Sequence, residues 1–230
     1  MANLDKKLLI LTQKVDKDDA VLGFFHNWIL EFSKNFRLVT IICLQKGNYS
    51  LPSNVRVLSL GKEKKQNRFF YVSKFYKFIW QYRKDYDVVF VHMNAEYVIL
   101  GYYLWKILAK RVGFWYMHKS VTGKLRMAEK FSDLVFTGSK ESFRLPSKKL
   151  KILHHGIDDK LFFFQAKENH NQIRILTVSR IAPTKQIDKI ISLLPNIKSH
   201  SDKEVKLKII GEPILESDKI YFQELKKQVV

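Results

Sequence analysis

The sequence predicts a doubly wound parallel α/β sheet, followed by the beginning of a second sheet of the same kind. Three observations carry this prediction. Short apolar strands alternate with amphipathic helices from Leu8 onward, which is typical of βαβ units. The strand at 87–93 has no charge between Asp87 and His92, as expected of a strand buried on both faces. After the polar segment 166–172 the alternation starts again at Ile173.

The spacing of apolar residues predicts each strand and helix of the first part. Apolar and β-branched runs predict strands at 8–12, 37–44, 55–60, 87–93, 112–116, 134–137 and 151–154. Apolar residues at helical spacing predict helices at 24–34, 69–83, 97–109 and 121–131. Because helices separate most of these strands, we expect the strands to be parallel and residues 1–158 to form one Rossmann-like domain.

The second part, residues 159–230, contains a linker and a shorter set of elements. Strands are predicted at 173–178 and 205–210, and helices at 187–197 and 219–229. Two strands are too few for a stable sheet with both faces covered. We therefore expect an incomplete second domain, which is either cut short or leans on the first.

The composition is strongly basic, with a formal net charge of +19. Lys and Arg outnumber Asp and Glu by 15 in residues 1–160 and by 4 in residues 161–230. We therefore expect the first part to meet an anionic partner. The single cysteine, Cys43, lies within an apolar strand, which predicts a buried thiol and a reducing, cytoplasmic compartment.

The segment 62–84 combines eight Lys or Arg residues with eight aromatic residues and one acid. One helical stripe is predicted to be core, and it contains Val72, Phe75, Tyr76 and Ile79. The aromatics left among the cations are Tyr71, Phe78 and Tyr82. A basic amphipathic helix with spare aromatics predicts peripheral binding to the anionic inner face of a membrane. The alternative is an ordinary packed helix with a charged outer face. Nucleic-acid binding would rest on charge alone, so we expect no nucleic-acid partner.

Five segments carry a family resemblance. They are HMNAEYVILGYYLWKIL (92–108), VGFWYMHKSV (112–121), FTGSKESFRLPSKKLKILHHGID (136–158), ILTVSRIAPTK (175–185) and KIIGEP (208–213). In order and spacing they resemble the family 4 glycosyltransferases of the GT-B fold, which are retaining enzymes with two Rossmann-like domains. The resemblance implies a hexosyltransferase that binds an acceptor (a glycan or a lipid-linked molecule) on the first domain and a nucleotide-sugar donor on the second. It implies no cofactor and no metal.

The resemblance also assigns donor-binding residues. Arg180 and Lys185 match the positions that neutralise the donor diphosphate, and cations between a strand and a helix suit phosphate groups. The alternative is two solvated surface cations. Gly23 matches the loop that closes over the donor phosphates, although a simple helix-start glycine fits equally well. Gly156, in the junction turn 155–158, is implied to accommodate a bend near the cleft. Gln186 departs from the family, which commonly has glycine there, and the family's paired glutamates are expected beyond Val230.

On the acceptor side, the resemblance implies that His118 lies against the donor sugar and assists transfer. The alternative is a core or edge histidine bonded to a backbone carbonyl. His92, Asn94 and Glu96 are predicted to line the acceptor pocket. The acids at 16–19 include a DxD string, but loop acids or an acceptor rim are the better interpretation, and we expect no metal site. If the donor glutamates are missing, the alternative function is a non-catalytic fragment or subunit that binds acceptor or lipid.

Overall fold

The computed structural model describes residues 5–65, 67–154, 156–157, 159, 162–164 and 171–228. The chain folds as two compact units, Met1–Ile157 and Asp158–Val230. The predicted boundary, after residue 158, lies one residue later. His155 and Asp158 of the predicted junction turn lie outside the described residues.

Unit 1 (Met1–Ile157) contains seven strands and four helices among the described residues. The strands are β1 (Lys7–Val15), β2 (Leu38–Lys46), β3 (Val55–Ser59), β4 (Val88–His92), β5 (Arg111–Trp115), β6 (Leu134–Thr137) and β7 (Leu150–Ile152). The helices are α1 (Phe24–Asn35), α2 (Arg68–Gln81), α3 (Ala95–Ile107) and α4 (Gly123–Phe131). A short 3₁₀ turn, Lys62–Lys64, was not predicted.

The seven strands form one parallel sheet in the order β3-β2-β1-β4-β5-β6-β7. Alternate residues of β1 enter different cores: Leu9 and Leu11 pack with α2, α3 and α4, whereas Leu8 and Ile10 pack with α1. The sheet therefore has helices on both faces, and the predicted fold class is confirmed. Because all strands are parallel, the loops that follow them meet at one edge of the sheet, where such folds bind ligands.

Unit 2 (Asp158–Val230) contains strands β8 (Gln172–Val178) and β9 (Glu204–Ile210), which pair in parallel. Helices α5 (Ile187–Ser199) and α6 (Glu216–Gln228) form its small core through Ile187, Tyr221 and Leu225. Gly211 follows β9 with a φ of 154°, and a Cβ there would lie 1.8 Å from the carbonyl oxygen of Ser179. The two strand ends are thus in backbone contact, which only glycine permits.

The outer face of α2 differs from the prediction. Phe75 and Ile79 of the predicted stripe are fully buried, whereas Tyr76, also predicted to be core, is 40% exposed. Tyr71 and Phe78, predicted to lie among the cations, pack partly buried against the same core. Because aromatics flank Phe75 on both sides, the hydrophobic period leaves the rotation of the helix open, and packing turns it so that Tyr71 and Phe78 face inward and Tyr76 outward. Asn67 caps the helix by accepting the Phe70 N–H at 2.9 Å.

No helix in the described part of the chain is both long enough and apolar enough to cross a membrane. Cys43 is fully buried in β2, as predicted, and burial raises the pKa of its thiol to about 12.

Candidate functional site

Arg180 lies two residues after β8, at the carboxyl edge of the parallel pair in unit 2. Its Nε lies 3.4 Å from Oδ2 of Asp218, a carboxylate with only 3% of its side chain exposed. The same oxygen accepts the Leu215 N–H at 3.1 Å, at the start of α6. The Arg180 side chain itself is 40% exposed. Asp218 therefore orients a guanidinium group whose outer face remains open to solvent.

Lys185 ends a short 3₁₀ turn, Pro183–Lys185, that leads from β8 into α5. Its backbone N–H donates to the Ala182 carbonyl at 2.9 Å, which fixes the turn, and its side chain is exposed. Within the described residues its ammonium group has no ion-pair partner. The structure therefore places two accessible cations, Arg180 and Lys185, between β8 and α5, as predicted. That these cations bind a diphosphate stays a prediction.

Gln186, where the related family commonly has glycine, adopts a left-handed conformation with φ 52° and ψ 40°. A side chain in this region is strained relative to glycine. We expect Gln186→Gly to stabilise unit 2 by about 1 kcal/mol, offset in part by the larger entropy of the unfolded chain. Thermal unfolding followed by circular dichroism would measure the change. A loss of stability would show that the Gln186 side chain makes a contribution that exceeds the strain.

Helix α6 also holds the start of α5. The Tyr221 hydroxyl donates to Oδ1 of Asp188 at 2.5 Å and accepts the Asp188 N–H at 3.0 Å. The hydrogen bond from Tyr221 lowers the pKa of the Asp188 carboxyl. Through Asp218 and Tyr221, α6 therefore positions both Arg180 and the first turn of α5. Neither Asp218 nor Tyr221 was predicted from the sequence, although Asp218 lies in the first turn of a predictable helix, where acids are favourable.

In unit 1, Gly23 starts α1 in close backbone contact with the preceding loop. A Cβ on Gly23 would lie 2.6 Å from the Asp19 carbonyl oxygen, which accepts the Gly23 N–H at 3.0 Å. Oδ1 of Asp19 accepts the N–H groups of Val21 and Leu22 at 2.9 and 2.7 Å. The Asp19 carboxylate therefore already accepts the N–H groups of this loop that a phosphate group would need. The phosphate role predicted for Gly23 would require the Asp19 turn to open, and it stays a prediction.

Two acids of the 16–19 loop, Asp16 and Asp19, share an ion pair with Lys14. Its ammonium group lies 2.6 Å from Asp19 Oδ2 and 3.0 Å from Asp16 Oδ2. The hydrogen bond from Lys14 lowers the pKa of Asp19 to about 2. Among the described residues, no three His, Cys, Asp or Glu side chains are grouped as metal ligands would be.

His92, at the end of β4, is enclosed rather than open to a pocket. Its ring is 2% exposed, stacks on Phe25 with centroids 4.1 Å apart, and places Nδ1 3.2 Å from Oγ1 of Thr12. Burial lowers the pKa of the imidazole to about 4. A neutral ring packed in the core cannot touch an acceptor directly, so the structure favours a structural role for His92.

Asn94 and Glu96 lie at the same edge of the sheet as His92. The Asn94 amide is half-buried and donates to Oε1 of Gln13 at 3.3 Å. Glu96 is exposed and pairs with Lys124 of α4 at 2.8 Å, which lowers the pKa of its carboxyl. Both side chains are accessible at the carboxyl edge, and their predicted contact with an acceptor remains untested.

His118 lies in the loop that follows β5, and its side chain is exposed. Its Nδ1 accepts the Ser120 N–H at 3.1 Å, rather than donating to a backbone carbonyl. In the neutral ring the proton therefore resides on Nε2, which is left to donate. Strand β4 separates β1 from β5, so the loops bearing Gly23 and His118 start about 10 Å apart at one edge.

Gly156 lies in an exposed turn, and a Cβ there would meet nothing within 4 Å. The described surroundings of Gly156 therefore do not demand glycine. The bend predicted for residues 155–158 involves His155 and Asp158, which fall outside the described residues.

Comparisons with known proteins bear on the fold. No protein-family model and no curated protein matches this sequence. Solved structures do match. HepE of Anabaena in complex with UDP has a TM-score of 0.70 at 15% identity. A glycosyltransferase of Rickettsia africae ESF-5 has a TM-score of 0.68 at 12% identity. The UDP-GlcNAc 2-epimerase of Methanocaldococcus jannaschii has a TM-score of 0.51 at 12% identity.

The match covers nearly the whole of this chain but not of those proteins. It spans 97% of this chain and 65% of HepE and of the Rickettsia enzyme, and 95% of this chain and 68% of the epimerase. Because identity is low, these likenesses show the fold alone. The chain has the GT-B type of α/β fold found in glycosyltransferases, which a UDP-sugar epimerase shares.

Proposed function

We propose that this chain is a glycosyltransferase, or the larger part of one, that transfers a sugar from a nucleotide-sugar donor to an acceptor. The observation that carries the proposal is the pair of accessible cations after β8, one of them oriented by the buried Asp218. The fold adds support, since HepE has been crystallised with UDP and with UDP-glucose. The diphosphate of a nucleotide-sugar carries two negative charges, which such a cation pair suits.

In this mechanism Arg180 and Lys185 act on the leaving group. As the glycosidic bond breaks, negative charge grows on the donor diphosphate. Fixed cations stabilise that charge without a metal ion. Asp218 keeps the guanidinium group in place before the donor arrives, so little reorganisation is needed in the transition state. The resemblance to family 4 enzymes favours a retaining reaction.

Unit 1 binds the acceptor in this proposal. Asn94, Glu96 and His118 present polar groups at the carboxyl edge of its sheet. The exposed Nε2–H of His118 is able to donate a hydrogen bond to a sugar hydroxyl, whereas the buried His92 only supports the strand end. We place the reaction at the inner face of a membrane, with a glycan or lipid-linked acceptor.

A second candidate is a non-catalytic fragment or subunit that binds acceptor or lipid. It is favoured by the unit 1 loop, in which the Asp19 carboxylate already accepts the N–H groups of Val21 and Leu22. The two candidates differ in whether unit 2 binds a nucleotide diphosphate.

Calorimetric titration of the chain with UDP and with uridine tests the proposal. We expect weak UDP binding, with a dissociation constant of about 1 mM, and weaker binding of uridine, because the cations act on the diphosphate. Arg180→Gln/Lys185→Gln should weaken UDP binding tenfold or more. The control variant Lys189→Gln/Lys198→Gln removes two exposed charges of α5 and should bind as the wild type. UDP binding that survives loss of Arg180 and Lys185 would contradict the donor site proposed here.

A further inference from the structure

Three large apolar side chains are exposed on two neighbouring helices of unit 1. Trp80 of α2 is 52% exposed, and Tyr103 and Ile107 of α3 are 72% and 80% exposed. Exposed apolar side chains are common on protein surfaces when they occur singly. A group that shares one surface indicates an interaction site.

Contacts between the helices place these side chains on one surface. The Tyr76 hydroxyl of α2 donates to the Leu100 carbonyl of α3 at 2.9 Å, and the Phe75 ring stacks on Tyr97 at 5.7 Å. Both helices lead from one parallel strand to the next, so they run in the same direction. Trp80 lies one turn, about 6 Å, beyond Tyr76, and is therefore between the levels of Tyr103 and Ile107, which follow Leu100 by about 5 and 10 Å.

Lysines that have no ion-pair partner in the described part of the chain surround these apolar side chains, and one of them, Lys106, donates a hydrogen bond to the Tyr102 hydroxyl at 3.3 Å. The α2–α3 patch is defined by Lys77, Trp80, Lys84, Tyr103, Lys106 and Ile107, all exposed. Arg83 adds its guanidinium, which lies 4.3 Å from the centroid of the Trp80 ring.

The nearest acid at the end of α2 does not neutralise this charge, because Asp85 is ion-paired with Arg56 at 2.6 Å. Lys74, in the same basic segment, points elsewhere and donates to the Ser59 carbonyl at 3.1 Å. The patch therefore combines an apolar centre with a net positive rim.

We infer that the α2–α3 patch docks unit 1 on a bilayer that contains anionic lipids. Trp and Tyr favour the interface of a bilayer, an exposed Ile gains by entering the acyl region, and lysines pair with anionic headgroups. The inference rests on the membrane location in the proposed function, and it names the surface responsible. The proposed membrane-binding surface includes residues of α3 in addition to the basic segment 62–84. The charge pattern of that segment alone did not predict a contribution from α3.

The same features disfavour other occupants. A nucleic acid would use the cations but would leave the aliphatic Ile107, 80% exposed, without a matching surface. A second copy of the chain docked symmetrically would set lysines against lysines, which is repulsive. An anionic bilayer is complementary to both the positive rim and the apolar centre, so we choose it as the partner of this patch.

Vesicle sedimentation with the whole chain tests the inference, using phosphatidylcholine vesicles with increasing fractions of phosphatidylglycerol. Binding should rise with the anionic fraction and fall with salt. Lys77→Gln/Lys84→Gln/Lys106→Gln should weaken binding about a hundredfold, at roughly fivefold for each lysine. Tyr103→Ser/Ile107→Ser should weaken binding at least tenfold while leaving the salt dependence in place.

The control variant Lys189→Gln/Lys198→Gln/Lys203→Gln removes the same charge from exposed positions of unit 2 and should bind as the wild type. Equal losses in the control and the patch variants would show that net charge, and not this surface, drives binding. Binding to duplex DNA that depends on the patch lysines but not on Tyr103 and Ile107 would overturn the choice of a bilayer, as would failure to bind any vesicle. No donor or acceptor is present, so the outcome is independent of the proposed transfer reaction.

Discussion

Lys185→Ala should lower the turnover of nucleotide-sugar transfer by about 10²-fold or more, and raise the donor's Michaelis constant much less. The reason is that charge on the leaving diphosphate is larger in the transition state than in the bound donor. A cation that meets the diphosphate without a competing partner acts most strongly at that moment. Within the described residues Lys185 has no such partner, and its side chain is exposed. Steady-state kinetics with saturating acceptor would measure both constants.

Two further substitutions make the Lys185 result specific. Arg180→Lys should restore only part of the activity of an Arg180→Ala enzyme, because an ammonium group lacks the guanidinium's forked donors. It also lacks Nε, the atom that lies 3.4 Å from Asp218. Lys189→Ala removes an exposed charge four residues further on, in the first turn of α5; it serves as the control and should leave turnover unchanged. Full activity of Lys185→Ala would show that the donor phosphates bind elsewhere.

The fold was predictable because its strands are locally specified. Runs such as 87–93 lack charges in their interiors, are short and are rich in β-branched residues, which is typical of strands buried on both faces. The burial of Phe75 and Ile79 was predictable, but the exact rotation of α2 was not, since Tyr71 and Phe78 compete with Val72 and Tyr76 for the positions beside them. Only packing against α3 and the sheet decides between these two pairs, and that packing is non-local.

The candidate site was predictable only in part. Arg180 and Lys185 belong to a motif that is local in sequence, so their position after a strand could be predicted. Asp218 follows Arg180 by nearly forty residues, and its contact depends on how α6 returns to the end of β8. The burial of His92 was missed because its neighbours, Phe25 of α1 and Thr12 of β1, are brought in by the sheet order.

Acid should destabilise unit 1 through His92, by about 3 kcal/mol between pH 7 and pH 4. Burial holds the pKa of the folded ring at about 4, against about 6.5 in the unfolded chain. The unfolded state therefore binds more protons in this range. The contribution of the neutral His92 ring to the free energy of unfolding is fully present above pH 6.5 and is lost as the pH falls towards 4. Urea unfolding followed by tryptophan fluorescence would measure it, because all four tryptophans lie in unit 1.

His92→Phe should flatten this dependence between pH 7 and pH 5, where the carboxylates held by ion pairs are still charged. The substituted ring can keep the stacking on Phe25, but Thr12 loses a hydrogen-bond partner, which costs about 1 kcal/mol at every pH. The control is His118→Asn, which removes an exposed histidine and should leave the slope unchanged. If His92→Phe and the wild type lose stability in parallel on acidification, the buried ring does not govern the acid sensitivity, and another group must take up the proton on unfolding.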